Sequence, residues 1–172
     1  MTDRVWVSSN GGPLLLLPVA HLSEWQGIRS ALATNAGGAG EASSDYERAC
    51  AVADYTAVIP VGRGYGLVLG DEPNDTTWVL LERGGILARW VYAEGAEQAE
   101  TALASITPDL AWDFAGSFQV TDSPVELFDS AESGSQALGE RLRIDLAAGT
   151  YEIARADYKP DAETWFQLVR LR

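Results

Sequence analysis

Four consecutive leucines, Leu14–Leu17, are stopped by Pro18. A strand this apolar has no face to offer water, so it calls for cover on both sides. The run is far short of the roughly 20 apolar residues that cross a bilayer. Before it stand Val5-Trp6-Val7 and the turn-rich quartet Asn10-Gly11-Gly12-Pro13, a pattern that predicts an opening β-hairpin.

Strand signals recur along the chain. Ala57–Val61, Tyr65–Leu69, Thr76–Leu81 and Ile86–Ala93 are separated by Gly, Pro, Asn or Asp and read as a meander. Pro60 cannot donate to a ladder, which sends its strand to an edge or a bulge. Trp112–Val120, Val125–Phe128 and Thr164–Leu171 add further strands. At Arg141–Leu146, Leu142, Ile144 and Leu146 alternate inward while Arg141, Arg143 and Asp145 alternate outward. The turn Ala147–Thr150 then predicts a hairpin onto Tyr151–Ala154.

Helical signals are fewer. Leu22 to Gln26 reads as a short helix ended by Gly27. Ser44 and Glu47 have capping-box spacing, and Tyr46, Ala49, Cys50 and Ala53 share a helical face, which places Cys50 in the core. Gly95 to Ile106 presents Ala99, Ala102, Leu103 and Ile106 on one side, with Glu94, Glu97 and Glu100 near its positive end. Thr34–Ser43, rich in Ala, Gly and Ser, reads as a mobile surface loop. The fold class is α+β, one domain over residues 1–172, rich in antiparallel strands with two or three helices.

Composition narrows the function. Twenty-five Asp and Glu stand against twelve Lys and Arg, a formal net charge of -13, beside one His and one Cys. Such a field draws basic partners and repels nucleic acid and anionic lipid. With so few conventional catalytic groups, binding is favoured over turnover. Residues 1–12 lack the basic start and apolar core of a secretory signal, and a lone Cys fits a reducing compartment, so a soluble, cytoplasmic protein is expected.

No motif commands a reaction. Gly62-Arg63-Gly64-Tyr65-Gly66 leads into a strand rather than a helix, so it reads as a hairpin turn and not a phosphate loop. Gly70-Asp71-Glu72-Pro73-Asn74-Asp75 has three readings: turn caps, a hard-cation loop, or an acidic docking edge with Trp78 as its aromatic anchor. A nucleophilic dyad would need both Cys50 and His21, which the predicted burial of Cys50 opposes. Asp54-Tyr55 is a further candidate surface pair. No metal or cofactor is expected.

Four segments in order carry a family likeness: Trp6–Pro18, Asp45-Tyr46-Glu47-Arg48-Ala49-Cys50, Gly70-Asp71-Glu72-Pro73 with Thr77-Trp78, and Arg89-Trp90-Val91-Tyr92. Together they resemble the immunity-protein family numbered twenty-one of bacterial polymorphic toxin systems. The resemblance implies a non-enzymatic antidote that binds and blocks a cognate toxin domain, and the acidic field predicts no direct contact with nucleic acid or membrane. An acidic surface drawn from Asp54, Asp71, Glu72, Asp75, Glu94 and Glu97 would occlude a basic active site. A competing expectation is a β-rich domain for carbohydrate or another small ligand, even a carboxylate-dependent hydrolase, since six Trp and six Tyr offer stacking faces.

Overall fold

The structure, a computed structural model, describes residues 4–29, 44–70, 74–107 and 110–172. The loop expected at Thr34–Ser43 lies outside them. One sheet is built from β1 (Leu14–Pro18), β2 (Thr56–Val61), β3 (Gly64–Leu69), β7 (Val125–Asp129) and β8 (Leu142–Ile144), in the order β2-β3-β1-β7-β8. The second holds β4 (Thr76–Leu80), β5 (Gly85–Tyr92), β6 (Asp113–Val120), β9 (Gly149–Asp161) and β10 (Thr164–Leu171), in the order β4-β5-β10-β9-β6. Every described pairing is antiparallel. Among the described residues, two α-helices, α1 (Asp45–Cys50) and α2 (Ala96–Ala104), and two short 3-10 segments, Val19–Glu24 and Gly27–Arg29, join the sheets in an α+β architecture.

The leucine run explains the layering. Leu14 and Leu16 point into the space between the sheets, where they meet Leu67, Leu69, Leu87, Phe118, Val169 and Leu171. Leu15 and Leu17 point the other way, onto Trp25, Val68, Phe128 and Ala49 of α1. Alternation along one strand therefore feeds two cores, and all four side chains are buried. The outer face of the second sheet is covered by α2, whose Ala99, Ala102 and Leu103 pack on Ile86, Ala88, Phe166 and Leu168. The resulting order is helix, sheet, sheet, helix.

Three expected pairings are corrected. Val5–Val7 does not form a hairpin with β1: Val7 exchanges both backbone hydrogen bonds with Thr76 at 2.9 Å, so residues 8–13 cross from one sheet to the other. The crossing is held by Asp129, whose carboxylate accepts the Asn10 N–H at 3.0 Å, and by the Tyr46 ring, which occupies the space a side chain on Gly12 would need. The meander divides into two hairpins, β2–β3 and β4–β5, in different sheets. Likewise β8 pairs with β7 while β9 joins the opposite sheet, because the inward residues Ile144 and Ile153 enter the shared core from its two sides. The hairpin partner of β9 is β10.

Local chemistry behaves as its residues dictate. Pro60 lies on β2, an edge strand, and its carbonyl accepts from the Arg48 guanidinium. Gly62, at φ 54°, makes the β2–β3 turn against the Glu24 carboxylate, which also accepts the Arg63 N–H at 3.1 Å. α1 starts on a complete capping box: Ser44 Oγ accepts from Glu47 N–H at 3.1 Å, and Glu47 Oε2 accepts from Ser44 N–H at 2.6 Å. Substituting Ser44→Ala should lower stability by about 1 kcal/mol, read as a melting temperature about 2–4 °C lower. An unchanged melting curve would mean that the packing of Ala49 alone holds α1.

Cys50 is exposed, not in the core. α1 lasts only six residues, so Cys50 is its final residue and only Ala49 of the expected stripe is fully buried. Hydrogen bonding to Cys50, then burial, pushes the Tyr46 phenol above its ordinary range. His21 contacts Thr121 Oγ1 at 2.9 Å and Glu24 Oε1 at 3.4 Å, so these two residues, and not Cys50, are its described partners. Arg141 is not an outward residue either. Its side chain is 12% exposed and turns back to gather the carbonyls of Gly134 and Gln136 at 2.8 Å and Ser133 at 2.9 Å.

Candidate partner-binding site

Between the sheets, β10 runs from apolar to polar as it is followed back from Leu171 through Val169 and Gln167 to Trp165. Its neighbours change in step: Val169 pairs with Leu87 and Arg155, and Gln167 with Arg89 and Asp157. Across β9, Asp113 of β6 stands opposite Arg155. The shared core thus ends at Leu87 and Val169, and beyond it the sandwich opens into a mouth. Asp54 and Tyr55, just before β2, close the mouth from the other sheet, leaving a cavity of about 300 Å³.

Charges within the mouth are sorted by depth. Arg89 is 1% exposed, and the Arg155 side chain is 30% exposed. Asp54, Asp113 and Asp157 are exposed, the Asp54 side chain to 76%. An approaching molecule therefore meets carboxylates before it meets arginines. The Asp54–Arg155 ion pair is loose at 3.9 Å. Trp165 is more firmly held: its indole N–H donates to Asp157 Oδ1 at 2.9 Å, and Lys159 Nζ sits 3.9 Å from its ring centroid. Tyr55 is half-exposed, as is Tyr92 opposite Trp165 in the ladder. The Gln167 side-chain oxygen is buried and accepts no hydrogen bond from the described residues.

Strand direction brings further expected residues to this end. Asp75 precedes β4, and its backbone carbonyl accepts the Trp90 N–H at 2.8 Å near the end of β5. Its carboxylate accepts from Ser8 Oγ, so Asp75 also clamps the sheet-crossing segment. Asp71 and Glu72 lie outside the described residues. Their neighbour Gly70 donates its N–H to the Tyr55 carbonyl at 2.8 Å, beside Asp54. Glu94 and Glu97 follow β5 on the outer side of the second sheet, where with Asp161 they line a groove of about 660 Å³ between α2 and the β9–β10 turn. Burial, then the Asp161 charge, raises the pKa of Tyr158, whose hydroxyl donates to the Ala102 carbonyl at 3.2 Å.

Trp78 takes a different position. It is half-buried against the inter-sheet core, with its ring over Gly85, where an added Cβ would collide with it. The residues not anticipated are Arg89, Asp113, Arg155, Asp157 and Trp165. The signal that could have found them is the Ala154-Arg155-Ala156-Asp157-Tyr158 alternation, small or aromatic on one face and charged on the other.

Among the described residues no group of three or more His, Cys, Asp or Glu is placed to hold a metal ion, and no helix is long and apolar enough to cross a membrane. Comparison with curated proteins and with solved structures returns no match in either case. The family model described as Immunity protein 21 matches residues 5–164, nearly the whole length over which the two sheets and both helices are built. By that match the chain belongs to the Immunity protein 21 family.

Proposed function

We propose that this protein is a cytoplasmic, non-enzymatic antidote that binds a toxin domain made beside it and covers that domain's active site with the acidic end of its sandwich. Family membership supplies the partner class. The observation that favours this end is the convergence of exposed carboxylates there, Asp54, Asp113 and Asp157 at the mouth and Glu94 and Glu97 beyond it. Solvated carboxylates steer a basic partner without a prior desolvation cost, and a toxin that cuts nucleic acid through a basic cleft would meet in this surface an imitation of its substrate's phosphates.

The carbohydrate-binding reading has one observation in its favour, the mouth's combination of Trp165 with three aspartates. It ranks lower because Lys159 already occupies a face of Trp165 and the Trp165 indole engages Asp157.

The test is co-expression with the C-terminal domain of a large secreted protein encoded by a neighbouring gene, followed by calorimetry on the purified pair. Growth should be rescued and a stable complex formed; neither rescue nor binding would sink the reading. Reversing Glu94 and Glu97 to Lys should slow association about tenfold at low salt. The accompanying loss of stability should stay within about 1 kcal/mol per helix-start charge. Unaltered association would take α2 out of the interface.

A further inference from the structure

We infer that the mouth between the sheets is a receptor for one arginine side chain projecting from the partner's surface. The identity of the partner rests on the toxin-binding reading; the chemistry of the mouth does not. Its volume of about 300 Å³ stands at the lower limit of ligand pockets. That suits a single long side chain better than a peptide segment or an oligosaccharide.

Acceptors are what this mouth presents first, with its arginines set deeper. Asp54, Asp113 and Asp157 put acceptor oxygens at its rim, and the Gln167 side-chain oxygen, with no partner among the described residues, adds another beneath them. A guanidinium carries five N–H donors in a planar fork and no acceptor, which matches carboxylates with an amide oxygen behind them. Asp54 is available to it because its contact with Arg155, at 3.9 Å, is beyond hydrogen-bond length. An aromatic wall suits the same group: Tyr55 stands half-exposed at the opening. The recessed Arg89 sets how deep the visitor goes, since a second guanidinium pushed onto it would meet a buried like charge.

An anion is the opposite possibility, because two arginines line the cavity. It is disfavoured by order of encounter: the carboxylates are exposed, and the arginines lie beneath them.

The test uses the full chain, isotopically labelled, with N-acetyl-arginine amide as probe and N-acetyl-glutamate amide as control. The indole N–H resonance of Trp165 and the backbone amide of Tyr55 should move saturably with the arginine probe and stay in place with the glutamate one. The double variant Asp113→Asn, Asp157→Asn keeps an oxygen to accept the Trp165 indole and removes two charges. It should weaken the probe about tenfold, the equivalent of one charge-assisted hydrogen bond. No saturable shift with arginine, an equal response to glutamate, or an unweakened variant would each overturn the inference.

The same variant, offered to the toxin domain, separates the two readings. If the native chain protects and the variant binds just as tightly, the mouth is not where the toxin docks and the inference fails alone. If the native chain does not bind the toxin, the antidote reading fails, and the probe titration still decides what the mouth accepts.

Discussion

Replacing Trp25 by alanine is expected to lower stability by about 3–5 kcal/mol, the range for truncating a fully buried large aromatic side chain. Trp25 is 0% exposed and fills the outer core with Leu15, Leu17, Val68 and Phe128. Its indole N–H donates to the Ser130 carbonyl at 2.9 Å, and its own carbonyl accepts the Gly134 N–H at 2.9 Å. The ring is therefore both core and anchor for the segment after β7. Truncation leaves a cavity and a buried carbonyl without its donor. Trp25→Phe keeps most of the packing, so urea denaturation should show it costing less than the alanine variant. Equal losses would show that the hydrogen bond, and not the volume, carries the effect.

Arg141→Met should cost a comparable about 3–5 kcal/mol, because it breaks one side of a buried charge cluster. The guanidinium lies 3.4 Å from Glu132 and 3.5 Å from Glu126, and 4.6 Å above the Phe128 ring. Methionine preserves the stem and strands the Glu132 carboxylate, whose side chain is 9% exposed. Adding Glu132→Gln to Arg141→Met should recover part of the loss in chemical denaturation. Hydrogen exchange should speed up at the Leu138 N–H, which donates to Glu132 Oε2 at 3.2 Å. If the single variant melts like the native protein, this segment is held by Trp25 alone.

Strand existence was legible because pleating imposes a period that side chains must obey, and Thr164–Leu171 matches its expected limits. The double burial of Leu14–Leu17 was legible for the same reason. Partner choice was not, since the same inward pattern suits either sheet: Val7 and Leu14 share one core from opposite sides. Arg141 shows a second limit. Alternation sets which face a residue leaves from, and the length of an arginine lets it return to carbonyls several residues earlier. At the candidate site, Asp54-Tyr55 was visible as a surface pair. Its companions Asp113, Asp157 and Trp165 come from three strands whose adjacency is fixed only by sheet order.

That sheet order also bears on how the molecule is made. The middle strand of the first sheet, β1, is synthesised before both of its partners, β3 and β7, and the middle strand of the second, β10, after both of its own, β5 and β9. At ribosomal speed the interval between β1 and β10 is on the order of ten seconds. Within it the four-leucine strand waits first for β3 and then for β7, and to its end β5 and β9 have nothing between them. Trp165 and Gln167 reach the mouth only when β10 docks. A nascent chain that stops just before Thr164 therefore carries every Asp and Glu of this sequence and still has no mouth, which is completed in one step, when β10 docks.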